Sequence, residues 1–515
     1  MVARAAVLKD TKEIALPFDE RLANLVPTHR TTEKKTGRYI VLPHRHDVTR
    51  LCRNMGYLVP APINCYYDWN GDVPFKTQKV TASLLTMNRR AYVLSEMGTG
   101  KTRASLFAID YLLREAVINC ALIVAPLSTL WQVWDREIFE YFSHLSVGIL
   151  HGTQDKRQLV LAEQHDIYVI NHDGPKTAIF PHLLAKKFGA IVIDELAVFR
   201  NINDRWRAMY KVAKDAQYVW GMTGSPTPTE PLDAWAQCKM LTPARVPQYA
   251  RDFQLKTMRQ ITPFKWVAKD DANDHVYAAM QPGVRYKRDD CIELPPVSYV
   301  ARKITMSAEQ DKVYKRLVKM LTMTFAEGEV TAANEGVLFS KLLQIAGGWV
   351  YTKDRVVVPL DNRARIDDLL EVIDQAAGKI IVFVEFKHAA HALQKIIAMA
   401  GVDSALVTGD VPPSIRNHIF SEFQLSESPR VLVAHPKCMA HGLTLTAANT
   451  IVWYTPTTSL ETYEQANARI TRPGQTRKQL IVHLSGTPIE RKMYKRLQEK
   501  KTLQGALLEM FEEPE

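Results

Sequence analysis

The chain is sparing with cysteine, carries fewer acidic than basic residues, and has no long apolar run. Its six cysteines (Cys52, Cys65, Cys120, Cys238, Cys291 and Cys438) form no C-x-x-C pair, and no Cys/His group has zinc spacing. A disulfide scaffold and a zinc module are thereby excluded as organising features, and the thiols are expected as small core residues in a reduced, cytosolic interior. No apolar stretch approaches the ~20 residues that cross a bilayer, and the N-terminus alternates charged and small residues without the apolar core of a leader. A soluble, cytoplasmic chain with no membrane partner is expected. Low-complexity tracts are missing too, and 46% apolar with 23% charged residues is an ordinary globular composition. At 515 residues the chain has room for about three or four domains, each with its own core. The acid deficit, 66 Lys+Arg against 55 Asp+Glu, leaves a net charge of +11 and a pI near 9.2, which favours a polyanionic partner. Part of it is local: Arg472 to Lys501 holds nine basic residues against two acidic ones. A solvated helix face is the plain alternative there.

What is present is led by Ser95-Glu96-Met97-Gly98-Thr99-Gly100-Lys101-Thr102, set between a short apolar strand (Ala91 to Leu94) and a helical run (Arg103 to Leu113). Strand, glycine-bearing loop and helix form the context of a phosphate-binding loop. Glycines let backbone N–H groups converge on one anion, and the helix adds the positive end of its dipole. Lys101 is placed to bridge the outer phosphates of ATP, with Met97, Gly98, Thr99 and Gly100 around them and Thr102 offering its hydroxyl to Mg²⁺. The strict pattern wants Gly where Ser95 stands, so the match is the G-x-G-K-T form.

From Ala91 to about Thr223, β-branched runs alternate with helical stretches; strands are expected at Ala91–Leu94, Ala121–Ala125, Ser146–Leu150, Asp166–Ile170, Ala190–Ile193 and Tyr218–Met222. A second series is expected at Lys379–Val384, Ser404–Val407, Arg430–Ala434, Thr450–Tyr454 and Gln479–Leu484. Continuous apolar strands separated by helices indicate parallel sheets covered on both faces, hence an α/β chain with two lobes and a cleft. The expected organisation is a small N-terminal module (1–70), a first lobe (71–250), a linker and helical insert (251–345) and a second lobe with a basic C-terminal helix (346–515). Within the insert, Asp270 to Asp274 reads as a polar turn, Glu293-Leu294-Pro295-Pro296 forces extended chain, and Ser307 caps a helix running to Met323.

Ile191-Val192-Ile193-Asp194-Glu195 is an apolar strand ending in two carboxylates, 93 residues from Lys101 to Asp194. Alone it is a common structural pattern. In the same sheet as the phosphate loop, Asp194 serves the Mg²⁺ shell and Glu195 orients the water that attacks the γ-phosphate. In Gln465-Ala466-Asn467-Ala468-Arg469-Ile470-Thr471-Arg472-Pro473-Gly474-Gln475, Arg469 and Arg472 are three apart and are expected on one helix face. From the second lobe they can neutralise charge developing on the γ-phosphate, an effect worth ~10³–10⁵ in rate; two solvated arginines are the alternative.

The order of these segments resembles a superfamily-2 helicase of the SWI/SNF-like branch. Gln78, in Pro74-Phe75-Lys76-Thr77-Gln78, corresponds to the adenine-side glutamine. Ala121 to Trp134 is similar to the first DNA-contacting segment, and Met222-Thr223-Gly224-Ser225-Pro226 to the Thr-Gly-Thr-Pro coupling motif. Thr408-Gly409-Asp410 with Arg416 resembles the Asp-Gly-x…Arg segment. Ala440 to Ala448 resembles Gly-x-Gly-x-Asn-Leu, and Gln465 to Gln475 the Gln-x-x-x-Arg-x-x-Arg-x-Gly-Gln string. The resemblance covers about residues 71 to 490 and is nearest HARP-type annealing helicases, fork-remodelling translocases and compact phage versions, so a nucleoid, nuclear or phage setting is implied. It implies two RecA-like lobes. The small N-terminal module preceding them resembles a DNA-recognition module. Three departures stand out: Ala197 where relatives often carry a polar residue able to reach Gln465, Thr444 where Asn is usual, and His441 in place of Gly.

Two lobes that share one ATP form a switch: closure on ATP and opening after hydrolysis ratchet a gripped backbone. Phosphate grip suits Ser, Thr, Lys and backbone N–H groups at loop tips. The candidates are Ser128, Thr129 and Trp131 in the first lobe, and Thr408, Arg416, Lys437 and Thr444 in the second. Trp131 and Trp134 are also core candidates, Trp134 the more so. The reading is a monomeric, ATP- and Mg²⁺-dependent translocase on double-stranded or branched DNA, working beside replication or recombination proteins. The alternatives are a strand-separating DNA or RNA helicase, and a non-catalytic ATP-binding scaffold.

Overall fold

The computed structural model describes residues 4–69, 74–262, 265–287, 291, 295–326, 332–352, 356–439, 444–472 and 474–499. The chain divides into two units, residues 1–291 and 292–515. In the first unit all six expected runs are strands: Arg90–Val93, Ala121–Ala125, Val147–Leu150, Ile167–Asn171, Ala190–Ile193 and Tyr218–Met222. With Gly283–Val284 they make one seven-stranded sheet in the order 283–284, 90–93, 218–222, 190–193, 121–125, 167–171, 147–150, every pair parallel. The strands are apolar throughout because alternate residues feed opposite faces and helices cover both. Leu122, Val124, Ile191 and Ile193 enter one core; Ala121, Ile123, Val192 and Trp220 enter the other.

Ahead of this lobe lies a small antiparallel sheet, ordered Ala6–Leu8, Glu13–Pro17, Gly37–Pro43, Arg30–Lys34, with helices Glu20–Leu25 and His46–Asn54. Its alternating Ile14, Leu16, Ile40 and Leu42 meet Leu22, Val48 and Cys52 in a core of their own. The module docks on helix Lys101–Arg114 and the residue beyond it. Lys12 Nζ pairs with Glu115 at 2.9 Å, and the Tyr67 hydroxyl donates to the buried Asp110 at 2.5 Å.

The second unit holds a six-stranded parallel sheet in the order Val297–Lys303, Gln479–Ser485, Ala448–Trp453, Lys379–Phe383, Val431–Ala434, Ser404–Val407. The protein is therefore an α/β chain of two parallel-sheet lobes with an α+β module in front. No helix among the described residues is long and apolar enough to cross a membrane.

The region expected as a separate insert, 251–345, is instead divided between the units. Helices Ala250–Thr257 and Ala272–Ala279 bury Phe253, Val276 and Ala279 in the first lobe's core, and Gly283–Val284 extends its sheet. Val297–Lys303 extends the second lobe's sheet, and Tyr314, Phe339 and Leu342 fill its core. Polar composition at Asp270–Asp274 concealed this; a helix begins there at Ala272. Ser307 does cap helix Ala308–Ala326: its hydroxyl accepts from Gln310 N–H at 3.2 Å, and the Gln310 side chain returns a bond to Ser307 N–H. Glu293, Leu294, Ala440, His441, Gly442, Leu443, Pro473, Lys500 and Lys501 lie outside the described residues.

In the second lobe Arg365 and Glu490 form an ion pair that is buried on both sides. Arg365 donates from Nη2 to both Glu490 oxygens at 2.9 Å and from Nη1 to the Tyr454 carbonyl at 2.5 Å. Glu490 also accepts from Gly486 N–H (2.8 Å), Thr487 N–H (3.0 Å) and the Thr487 hydroxyl (3.0 Å), so the carboxylate is fully engaged. The pair ties helix Arg363–Gln375 to helix Pro488–Gln498 across the exit of the central strands. Removing one member leaves a buried charge alone, at a cost of about 3–5 kcal/mol. Arg365→Met is expected to lower the urea midpoint of the full chain accordingly; an unchanged midpoint contradicts this account.

Candidate functional site

Three neighbouring parallel strands, 90–93, 218–222 and 190–193, end at the same edge of the first sheet. The segments that follow them are the loop Ser95–Thr102, Thr223-Gly224-Ser225-Pro226 and Asp194-Glu195. Gly98 and Gly100 have φ of +79° and +78°, which side chains resist, and Gly100 opens helix Lys101–Arg114. Gln78 seats against that glycine. A Cβ at Gly100 would collide with Gln78 Nε2, and the same amide bonds Gly100 O at 3.4 Å while its oxygen accepts from Phe75 N–H at 2.9 Å. Lys101 folds back, donating to the carbonyls of Ser95 (2.7 Å) and Glu96 (3.0 Å). Thr99 donates to Glu96 O at 2.8 Å. Ser95, the departure from the strict pattern, braces the loop: its hydroxyl accepts from Tyr286 N–H at 3.1 Å, while Glu96 N–H donates to Tyr286 O at 3.0 Å. The loop is thus held by the edge segment 283–286, which was expected within the insert.

Asp194 is half-buried. Burial pushes its carboxyl up, opposed by the Lys101 charge, by Trp134 Nε1 (3.3 Å) and by Glu195 N–H (3.1 Å). Glu195 sits at φ +50°, left-handed for a non-glycine residue, a strain of about 1 kcal/mol or more. The strain turns the chain sharply into the 3₁₀ turn Leu196–Phe199, so the two carboxylates do not continue the strand. His172, which sequence reasoning missed, steadies this corner: its Nε2 lies 2.7 Å from Asp194 O. Burial lowers its pKa to about 4, so the ring is neutral and donates. Its only sequence signal is a histidine directly after an apolar strand of the same sheet. Gly224 stands beside the loop, where a Cβ would lie 3.7 Å from Ser95 O.

A lysine, a threonine hydroxyl and a carboxylate around a glycine cradle fit a nucleotide triphosphate with Mg²⁺. Among the described residues no cluster of three His, Cys, Asp or Glu could hold a metal by itself, and Mg²⁺ at substrate phosphates needs only one or two protein oxygens. Thr102 and Asp194 would supply them.

After strand 121–125 come the 3₁₀ turn Leu127–Thr129 and a π-helical turn, Leu130–Asp135. Residues three apart share an α-helical face, but the wider π turn separates them. Trp134 is buried against Asp194, while Trp131 is 41% exposed and edge-on to His151 at 4.8 Å. Ser128 is exposed, but Thr129 is buried and donates to Pro126 O at 2.9 Å, so its hydroxyl serves its own turn and the expectation of a phosphate donor is corrected.

In the second lobe the expected arginine-bearing helix stops short. Helix Leu460–Asn467 ends before Arg469, and both arginines lie in the following turn. The last carbonyls are taken by side chains: Thr471 Oγ1 bonds Asn467 O at 3.2 Å and Arg472 Nε bonds Ala468 O at 3.2 Å. Pro473 also disfavours helix in the residue before it. Arg469 is buried, and Arg472 is half-buried with Nη1 at 3.3 Å from Thr444 Oγ1. Gln475 anchors the turn, donating to Ala448 O (2.8 Å) and Ile470 O (3.2 Å) and accepting from Arg477 N–H (3.1 Å). Gln465 is buried and donates to Glu461 at 3.0 Å; Ala197 is buried in the first lobe. Of the candidate backbone contacts, Lys437 and Thr444 are exposed and Arg416 half-buried. Thr408 is fully buried, a second correction. Glu385, unremarked in sequence, follows strand 379–383; burial lifts its pKa to about 7 against a Thr457 hydrogen bond and the Lys437 charge.

The sequence pattern of the SNF2-related domain matches residues 78–347, and that of the helicase conserved C-terminal domain matches residues 363–474. Protein p41 of Acyrthosiphon pisum secondary endosymbiont phage 1 is 24% identical over 454 residues, 82% of this chain and 95% of that protein. The uncharacterized ATP-dependent helicase MG018 of Mycoplasma genitalium is 23% identical over 390 residues, 74% of this chain but 36% of its own length. The chain thus spans nearly all of the phage protein and about a third of the mycoplasma one. A solved Sulfolobus solfataricus SWI2/SNF2 ATPase core in complex with dsDNA aligns over 86% of this chain and 96% of that one, at 21% identity and a TM-score of 0.41.

Lys101→Ala is expected to abolish nucleotide binding, measured by titration with a fluorescent ATP analogue; full-strength binding refutes the loop assignment. A second expectation concerns pH. His172 takes a proton only near pH 4 in the folded chain, against 6.5 ordinarily, so the unfolded state binds more protons between those values. Its contribution is complete above pH 6.5 and is lost as pH falls toward 4. Melting temperatures from pH 7 to 4 are expected to fall less steeply in His172→Gln than in the unaltered protein; equal slopes count against it.

Proposed function

The chain belongs to the SNF2-related family, and on that premise we propose that it is a DNA-dependent ATPase that couples hydrolysis to translocation along double-stranded or branched DNA. The observation that carries the reading is the convergence of Lys101, Asp194, Glu195 and the Thr-Gly-Ser-Pro segment at one sheet edge. Lys101 binds the outer phosphates, the loop N–H groups of 97–100 surround them, and Gln78 marks the adenine side. Thr102 and Asp194 hold Mg²⁺, which when bound neutralises phosphate charge. Glu195 orients and polarises the attacking water. Phosphoryl transfer asks mainly for positioning and charge stabilisation, so these groups suffice in the first lobe. Arg469 and Arg472 supply positive charge to the transition state from the second lobe, and Gln465 completes the nucleotide-binding set.

For the track, the reading leans on the net charge of +11 and on exposed Ser128, Trp131, Lys437 and Thr444, with half-buried Arg416 as a further contact. Such contacts reach the sugar-phosphate backbone and carry no sequence information. The work done is annealing, fork remodelling or branch migration, by a monomer acting beside replication or recombination proteins, with the N-terminal module recognising DNA.

ATP turnover measured with duplex, forked and single-stranded DNA and with RNA tests this. Stimulation by duplex or fork is expected; stimulation by RNA alone overturns it in favour of an RNA helicase. Arg469→Ala and Arg472→Ala are expected to lose turnover with ATP affinity held within about tenfold, because the contact strengthens in the transition state. Glu195→Gln is expected to bind ATP without cleaving it, and wild-type rates in that variant contradict its role.

A further inference from the structure

Strands Met258–Thr262 and Lys265–Ala268 form a two-stranded antiparallel ribbon that joins no other strand among the described residues. It is rooted in the first lobe: Met258 is buried, Lys269 N–H donates to Thr257 O at 2.9 Å, and Lys269 Nζ donates to Leu255 O at 2.7 Å. Beyond the root it turns outward, with Arg259, Gln260, Ile261 and Thr262 all exposed. Register runs Met258–Ala268, Arg259–Val267, Gln260–Trp266 and then slips, so that Ile261 is an extra residue, 58% exposed. A bulge re-aims a side chain, and here it presents an isoleucine to solvent.

An isolated ribbon is marginally stable in water, and beyond Met258 the described side chains of this one are exposed or only half-buried. Its charge is one-sided within its own bounds: Met258 to Ala268 holds two basic residues, Arg259 and Lys265, and no acid, the nearest carboxylates being Asp252 and Asp270 outside it. A protein-pairing edge has no need of that bias, whereas a polyanion rewards it. A two-stranded ribbon, its strands about 4.8 Å apart, fits a DNA major groove about 12 Å wide.

We propose that this ribbon is a duplex-DNA contact of the first lobe, lying in the major groove with Arg259 on a flanking phosphate and the bulged Ile261 against base edges. The proposal rests on the reading of the chain as a DNA motor and adds a contact outside the motor segments.

The test uses the full chain with Arg259→Glu and, separately, Ile261→Ala, both exposed positions. Binding to a fluorescent duplex and to single-stranded DNA of equal length is followed over a salt series, and ATP turnover is measured with and without duplex. Arg259→Glu is expected to weaken duplex binding about tenfold with a shallower salt dependence. Ile261→Ala is expected to weaken it several-fold with the slope kept. Single-strand affinity and DNA-free turnover stay as in wild type. Wild-type duplex affinity in both variants, with duplex stimulation intact, overturns the ribbon contact and leaves the motor standing. Loss of single-strand binding to the same degree overturns groove binding. A wild-type protein that no nucleic acid binds or stimulates overturns both readings.

Discussion

The first lobe's chemistry depends on strands running in one direction. Because 90–93, 218–222 and 190–193 are adjacent and parallel, the loops that leave them share an edge, and groups more than 90 residues apart in sequence meet there. An antiparallel neighbour would have sent its carboxylates to the far side. The constraint also explains the backbone around the site. Positive φ at Gly98, Gly100 and Glu195 turns each chain out of the sheet, and only the last of these is strained. Trp134 and His172, which follow the next two strands, then hold Asp194 through its carboxylate and its carbonyl.

The second lobe solves a related problem differently. Its arginines ride on a turn rather than a helix, and a turn has fewer bonds to hold it. Gln475 and Thr471 supply them, closing the chain onto strand 448–453 and onto the preceding helix. The glutamine after Gly474 therefore has a structural reason independent of any ligand: it ties down the segment that carries Arg469 and Arg472. The Arg365–Glu490 pair fastens the helices that flank the same strands.

Much of this was legible in the residues. Apolar runs bounded by polar turns located the strands, because a strand buried on both faces has almost no polar positions to confuse the pattern. The loop Ser95–Thr102 and the carboxylates Asp194 and Glu195 stood out by residue type and order, and the fold brings the strands that carry them side by side. Gly283–Val284 was not, since two residues have no periodicity and only pairing with strand 90–93 makes them a strand. Thr129 and Thr408 were misjudged for a related reason: a hydroxyl after a strand looks the same in sequence whether it faces solvent or is buried, as Thr129 is on its own turn and Thr408 is at the end of strand 404–407. Trp131 and Trp134 parted company through a π turn, which no spacing rule for a regular helix contains.

By itself, then, the sequence determined the two parallel sheets and picked out the residues proposed for the site, the loop Ser95–Thr102, the carboxylates Asp194 and Glu195 and the arginines Arg469 and Arg472, through local pattern and residue chemistry. Tertiary structure alone decided which strand borders which, that residues 251–345 serve two units rather than one insert, that Ser95 is needed by Tyr286, and that His172 supports Asp194. Each of these depends on a hydrogen bond or a burial between residues distant in the chain, and such partners come into being only once the backbone has folded them together.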